Sequence, residues 1–362
     1  MKLKIEDVDA LCTGAAFLGA GGGGDPYIGG LMVKKVLSQG KCIEIIDPDS
    51  LHDEALVIPT AMIGAPTVLL EKIPSGKEPV LALKAVEEKL GKRADATMPT
   101  EVGGINSTIP LYVAAQLGIP VVDADGQGRA FPELQMETFS VNGVKGTPLG
   151  LANEKGDVAT VLTDDNIQME RIARSITTTF GGTGYFANYP MNGTDVKRTA
   201  VKRTLTMAKA IGDIIHHTRR GGYDPFERLV EYLATTDYQY AKPLFSGKVV
   251  DLDRKTQAGF TLGSVTIQNT SNAKRCSISF QNENLLAKQG EQILAIVPDI
   301  ITILDAETCI PITNETLRYG QRVIVMAVAV PEIMRTEAAL QAFGPTAFNI
   351  DAPYLSVNPQ VR

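Results

Sequence analysis

The chain has 362 residues, with 34 glycines, 20 prolines, no tryptophan, three histidines and four cysteines. Hydrophobic residues at 44% and charged residues at 21% exclude a wholly disordered chain and a collagen-like repeat, and at this length two domains are expected. The formal net charge of −6 lacks the basic excess that a polyanion partner needs, so nucleic acid is not expected as a partner, Lys202-Arg203 being only a local basic pair.

The segment from Met1 to Ala10 is charged and lacks the apolar core and cleavage site of a secretory signal. The longest apolar runs, such as Arg322 to Pro331, are of strand length and fall short of the ~20 residues of a membrane span. Cys12, Cys42, Cys276 and Cys309 lie far apart with no CxxC pair, which fits reduced thiols. A cytoplasmic protein without membrane contact is expected.

In chain order, Ile5 to Leu18 carries apolar residues at helical spacing and runs into Gly19-Ala20-Gly21-Gly22-Gly23-Gly24. Asp25-Pro26 then reads as a cap and first helical residue, with a helix to about Ser38. Short strands are expected at Cys42 to Ile46, Ala55 to Ile63, Ala94 to Thr100 and Ile119 to Val122, and helices at Val80 to Leu90 and Ser107 to Leu117, the latter closed by Gly118. This alternation predicts an α/β layer domain. Helices follow at Asn166 to Thr178, Lys197 to Arg219 and Pro225 to Leu233. Strands follow at Lys248 to Asp253, Phe260 to Gln268, Arg275 to Phe280, Ile293 to Leu304 and Arg322 to Val330. The expected architecture is an α/β N-terminal domain with a mostly parallel or mixed sheet (1–165), then connecting helices (about 166–240) and a β-rich C-terminal domain, a sandwich or barrel (about 245–355).

Three glycine-containing stretches carry candidate chemistry. The run at 19–24 leads into a helix N-terminus, which makes either an anion-binding nest or a tight turn where another backbone passes close. Asp25 would repel an anion there, so a cation or neutral polar ligand fits equally. No Gly-Lys-Ser/Thr follows, and the preceding segment is helical, so neither a P-loop nor a dinucleotide fingerprint is present and no nucleotide is expected. In Val121-Val122-Asp123-Ala124-Asp125-Gly126-Gln127-Gly128-Arg129, carboxylates at i and i+2 fall on one face of an extended chain, beyond the carboxyl end of an apolar strand. With Arg129 and Glu133, such a cluster suits metal binding, general acid–base work or orientation of a polar ring; an Asx turn with a solvated ion pair is the alternative. In Glu101-Val102-Gly103-Gly104-Ile105-Asn106-Ser107, Glu101 reaches the same sheet edge as Asp123 if the two strands are neighbours, and Asn106 or Ser107 either caps the helix or meets a ligand. Thr67 to Glu71 supplies another carboxylate after a strand end.

The other nucleophiles and ligands offer less. His216 and His217 are adjacent on a helix and point about 100° apart, so they do not share a metal easily; His217 is the one assigned to a site, and His52 is placed on the surface. No closed zinc pattern occurs. Cys12 is either an activated nucleophile or a core residue.

Taken together, Gly19 to Pro26, Glu101 to Ser107 and the block Asp123-Ala124-Asp125-Gly126-Gln127-Gly128-Arg129-Ala130-Phe131-Pro132-Glu133-Leu134 resemble, in that order, the S-methyl-thiohydantoin desulfurase domain family, formerly domain of unknown function 917. Gly247-Lys248-Val249-Val250-Asp251 with Gly259-Phe260, and Pro298 to Asp305, look like its C-terminal domain. The resemblance implies hydrolytic desulfuration of a thiohydantoin or hydantoin-type ring, with a divalent metal ion, zinc or another, as cofactor. It also implies an association with hydantoinase or oxoprolinase subunits. A homo-oligomer is expected.

On the chain's own residues, Asp123, Asp125 and Glu101 are then expected to hold the metal or act as base, and Arg129 to stabilise negative charge on the intermediate. The substrate-binding residues expected are Gly21, Gly22, Gly23, Gly24, Gly103, Gly104, Asn106 and Glu133. The alternative is a non-catalytic accessory or ligand-binding subunit that uses the same loops. With three histidines and four cysteines, any metal is expected to be held largely by oxygen.

Overall fold

A computed structural model describes residues 1–64, 68, 72, 74–221, 224–257 and 260–361. The described strands form two seven-stranded sheets and one short two-stranded ladder. The first domain opens with helix α1 (Val8–Leu18) and the glycine run, and Asp25 then accepts a hydrogen bond from the Tyr27 N–H at the start of α2 (Tyr27–Ser38). Its elements continue as β1 (Ile45–Ile46), β2 (Val57–Gly64), α3 (Glu78–Leu90), β3 (Ala96–Pro99), α4 (Ile109–Leu117), β4 (Val121–Val122) and β5 (Ala124–Asp125). A short α5 (Thr138–Val141), β6 (Leu149–Ala152), β7 (Val158–Val161), α6 (Asn166–Thr179) and β8 (Thr183–Ala187) follow. Ala65-Pro66 and Glu71, expected to close a strand and supply a carboxylate, lie outside the described residues, as does Gly259.

The sheet order is β1-β4-β3-β2-β8-β6-β7: the first four strands are parallel, and the β8, β6 and β7 pairings antiparallel. Alternation along β2 divides its side chains between the two faces. Val57, Ala61 and Ile63 pack with Met169 and Ala173 of α6, whereas Ile58 and Met62 pack with Leu83 and Val86 of α3. Chain beyond residue 165 thus returns to this sheet through α6 and β8.

The helix expected over Lys197 to Arg219 is interrupted. It comprises α7 (Gly193–Thr199), β9 (Val201–Lys202) and α8 (Thr204–Gly221), because β9 leaves helical geometry to pair with β5. Arg203 has φ 63° and joins Lys202 in ion pairs with Asp47 and Asp49. α9 (Pro225–Leu233) leads to the second domain. Helix α8 lies against α1 at close range: a Cβ on Gly14 would stand 1.7 Å from the Ala208 carbonyl oxygen, so this crossing requires glycine. The contact anchors the helix that delivers the glycine run.

The second domain is an antiparallel sheet of β10 (Ala241–Gln257), β11 (Phe260–Gln268), β12 (Arg275–Gln281), β13 (Glu283–Gln289), β14 (Gln292–Ile296), β15 (Ile300–Asp305) and β16 (Arg322–Val328), in the order β14-β13-β12-β11-β10-β16-β15. It curls into a half-barrel around Val265, Ile278, Ala287, Ile303 and Val325. The strand expected over Ile293 to Leu304 is two strands, broken at Val297-Pro298-Asp299, where proline has no N–H for the ladder. The other face, with Leu285, Ile300 and Met326, meets Ile211 and Ile215 of α8 and Leu229 of α9. Helix α10 (Glu337–Phe343) and the C-terminal strap close the chain, the strap held by Asp299, which accepts from Tyr354 and the Val357 N–H.

Candidate functional site

The parallel strands β2 and β3 deliver their carboxyl ends to the seam with the second domain, as open α/β sheets do for ligands. Immediately after β3 comes Glu101, 7% exposed. Its Oε1 accepts from Asn106 Nδ2, and Oε2 has no hydrogen-bond partner among the described residues. Asn106 is fixed in turn, accepting from the Met62 N–H at 2.7 Å and donating to the Met62 carbonyl at 3.3 Å. It does not cap α4; Thr108 occupies that position.

From the second domain, the turn between β12 and β13 brings Asn282-Glu283-Asn284 to the same place. Glu283, 2% exposed, accepts the Gly23 N–H at 3.3 Å through Oε1, and its Oε2 is unpartnered among the described residues. Glu101 and Glu283 line one cavity of about 70 Å3, together with Gly23, Asn106, Gln127 and Glu133. The volume is that of about two waters or one small planar group. Sequence reasoning missed Glu283, since Asn-Glu-Asn between two strands reads as a polar hairpin turn. Its only signal is a carboxylate in a turn otherwise built of amides.

The electrostatics follow from burial. Burial pushes the Glu283 carboxyl up to about 8, against the opposing pull of the Arg129 charge. Glu101 stands well above the usual range, first through burial and then through the Glu283 charge. Burial and a neighbouring carboxylate, that of Glu283 for Glu101 and that of Glu315 for Glu283, thus favour the acid form of both groups.

Among the expected ring-binding residues, Gly23, Asn106 and Glu133 line this cavity. Gly21, Gly22, Gly24, Gly103 and Gly104 are not on its wall but form the seam. Gly21 accepts from the Asn314 N–H, and Ile105 donates to the Gly23 carbonyl. A Cβ on Gly104 would stand 2.2 Å from that same carbonyl oxygen.

Asp123 and Asp125 do not share a face. Strand β4 ends at Val122 and β5 pairs in the separate ladder with β9, so alternation does not carry across Asp123. Asp123 turns to the N-terminus of α8, accepting from Leu205 N–H at 2.9 Å, Thr206 N–H at 3.1 Å and the Thr206 hydroxyl. Asp125 Oδ2 gathers three main-chain donors, Val102 at 2.8 Å, Gln127 at 3.1 Å and Gly128 at 2.8 Å, and so pins the loops that carry Glu101 and Gln127. Arg129 is also a tie. Its guanidinium donates to the carbonyls of Ala130, Asn284, Pro298 and Asp299, and none of these contacts reaches the cavity.

Among the described residues the donor chemistry does not fit a divalent metal. Among the described residues no group of three His, Cys, Asp or Glu side chains is placed to hold one. Asp123 spends both oxygens on α8, and Asp125 one oxygen on three amides. His217 bonds the Asp213 carbonyl and lines a different groove with Arg228 and Glu231. Cys12 is not activated: burial pushes its thiol up to about 12. Among the described residues no helix is long and apolar enough to cross a membrane.

The fold and site define a two-domain protein, an α/β layer joined to an antiparallel half-barrel, with paired buried carboxyls at the seam. The chain belongs to the S-Me-THD-like family: the family's N-terminal domain matches residues 6–163 and its C-terminal domain residues 164–357. The family name, S-methyl-thiohydantoin desulfurase-like, suggests a thiohydantoin-related role. Among solved structures, the chain is similar to a protein from Chromobacterium violaceum determined by X-ray crystallography in a structural genomics programme. The two share 26% identity at a TM-score of 0.83, over 99% of this chain and 100% of that one. No curated protein matches.

Proposed function

We propose that the protein is a desulfurase-type hydrolase of a small thiohydantoin or hydantoin-type ring, attacking C2 with water between Glu101 and Glu283. The observation that carries this is the pair itself: one carboxyl from each domain, each with one oxygen unpartnered among the described residues, on one small cavity. The family name supports the substrate class.

Glu283 is the base, because the Gly23 N–H and the charge of Arg129 both favour its ionised form. Glu101, with one amide donor and a like charge nearby, keeps its proton and is the acid. Water gives its first proton to Glu283 as its oxygen bonds to C2. The electron pair of the C2 double bond moves to the ring nitrogen of an S-methyl substrate, or to the sulfur of a thiohydantoin, and that atom takes the proton from Glu283. As C2=O forms, Glu283 takes the second proton, the C2–S bond breaks, and Glu101 protonates the departing sulfur. Methanethiol or hydrogen sulfide leaves, and proton transfer from Glu283 to Glu101 resets the pair.

The test is thiol or sulfide release from S-methyl-thiohydantoin and thiohydantoin, followed with a chromogenic disulfide, with hydantoin as control. The wild type is expected to release sulfur, and E101Q and E283Q to lose about 10²–10⁴-fold in kcat/KM. Full activity in either variant overturns the assignment. Ring binding without release, measured by calorimetry, would instead favour the accessory subunit.

A further inference from the structure

Behind the cavity wall lies a fully buried carboxyl group with no part in that chemistry. Glu137 precedes α5; its Oε1 accepts from Nε2 of Gln127 at 2.8 Å, and its Oε2 has no partner among the described residues. Gln127 lines the cavity, and the far end of its amide is engaged too, Oε1 accepting the Phe131 N–H at 2.7 Å. With both ends bonded, the amide has one orientation and closes residues 127–131 into a loop that leads directly to Glu133.

The neighbouring residue completes the clasp. The Thr138 N–H and hydroxyl both donate to the Gly126 carbonyl, at 2.6 and 3.0 Å, and the Gly126 N–H donates to Thr100, next to Glu101, at 2.9 Å. There is no slack, since a Cβ on Gly126 would stand 1.9 Å from Glu137 Oε2. A carboxyl buried with one donor is costly as an anion, and burial, reinforced by the charges of Asp125 and Glu101, favours its acid form. A leucine or methionine would fill the same space without that cost, so the polar group needs a reason of its own.

We propose that Glu137 is a positioning residue, which locks the side-chain amide of Gln127 and thereby fixes the Gln127–Glu133 wall of the ring cavity. Its kinetic readout rests on the hydrolytic reading of the cavity; its structural readout does not.

The test compares E137Q, E137M, Q127M and the Q127M/E137M double variant. E137Q retains a carbonyl acceptor for Gln127 and is expected to keep kcat/KM within about threefold. E137M is expected to lose about 10–100-fold, as misplacement of a binding wall does. Q127M, which removes the amide that both Glu137 and the Phe131 N–H engage, should lose a similar factor. The double variant should be no worse than either single one, as for two residues acting as a unit. On 15N-glutamine-labelled protein, the Gln127 side-chain protons should exchange slowly in the wild type and E137Q and quickly in E137M. Multiplicative losses in the double variant, or slow exchange persisting in E137M, would overturn the proposal. If the wild type turns over no ring, the hydrolytic reading fails and the exchange measurement alone decides the role of Glu137.

Discussion

The Gly23 N–H donates to Oε1 of Glu283 at 3.3 Å, which ties the glycine run of the first domain to a carboxyl of the second. The residue before it leaves no room for a side chain. A Cβ on Gly22 would stand 2.1 Å from that oxygen and 2.6 Å from the carboxyl carbon. G22A is therefore expected to fold, because φ at Gly22 is not in the left-handed region, but to displace Glu283. It should cost about 1–3 kcal/mol by denaturant titration, as overpacking does, and at least tenfold in kcat/KM. Unchanged kinetics in G22A would show that the carboxyl does not need this position.

The pH dependence of stability has a defined sign. Burial pushes Glu283 up to about 8, from an unfolded value of about 4.3. Between those values the folded chain holds a proton that the unfolded chain has released, so stability falls as pH rises. The contribution is fully present below about pH 4.3 and is lost once pH passes about 8. Melting temperatures measured from pH 5 to 9 should decline, and E283Q should flatten the decline. An E283Q slope equal to that of the wild type would place the titration elsewhere. In turnover, kcat/KM should rise as Glu283 ionises near pH 8 and fall once Glu101 loses its proton.

Asp123 caps α8 from outside the helix, and its removal tests whether that is its whole role. D123A is expected to cost about 1–2 kcal/mol, the range for a lost cap, with kcat/KM of the folded protein unchanged. Loss of turnover at retained stability would restore Asp123 to the chemistry.

Arg129 holds the second domain by three main-chain carbonyls, those of Asn284, Pro298 and Asp299. Lysine has no planar fork to span them. R129K should destabilise by about 3–5 kcal/mol and lower kcat/KM through the loosened Asn282–Asn284 turn. A denaturation midpoint near that of the wild type would sink this latch.

Chelation addresses the metal directly. Since the donor sets around the cavity do not fit a divalent ion, dialysis against a strong chelator should leave sulfur release unchanged. Loss of activity that zinc restores would overturn the carboxyl-only mechanism.

Local signals were legible where local energetics decide. Asp224 and Pro225 announce a helix that runs from Pro225 to Leu233 as expected, and Asp224 accepts the Phe226 N–H. Phe260 to Gln268 is the expected strand, and Gly118, at φ 71°, stops α4. The β1 strand is shorter than Cys42 to Ile46, since its ladder with the two-residue β4 covers Ile45 and Ile46 and Glu44 makes an isolated bridge to Lys2. The break at Ala200 to Arg203 was not legible, because it exists to pair Val201 with Asp125, 76 positions earlier (201 − 125 = 76). Of the candidate carboxyls, Glu101 was readable as a strand-end group. Asp123 was misdirected by an alternation rule that fails when a chain changes ladders.

The sequence alone determined the two-domain α/β and β order, the family, and the concentration of glycines at 19–24, 103–104 and 126–128 beside carboxylates. Its three histidines and four widely separated cysteines carry no closed zinc pattern. Only the tertiary structure decided which carboxylates meet. Glu101 and Glu283 are 182 residues apart (283 − 101 = 182) and reach one cavity because the glycine run admits the second domain's turn at backbone contact. Their chemistry arises from burial and, for Glu101, from the Glu283 charge, and neither exists until the domains close together.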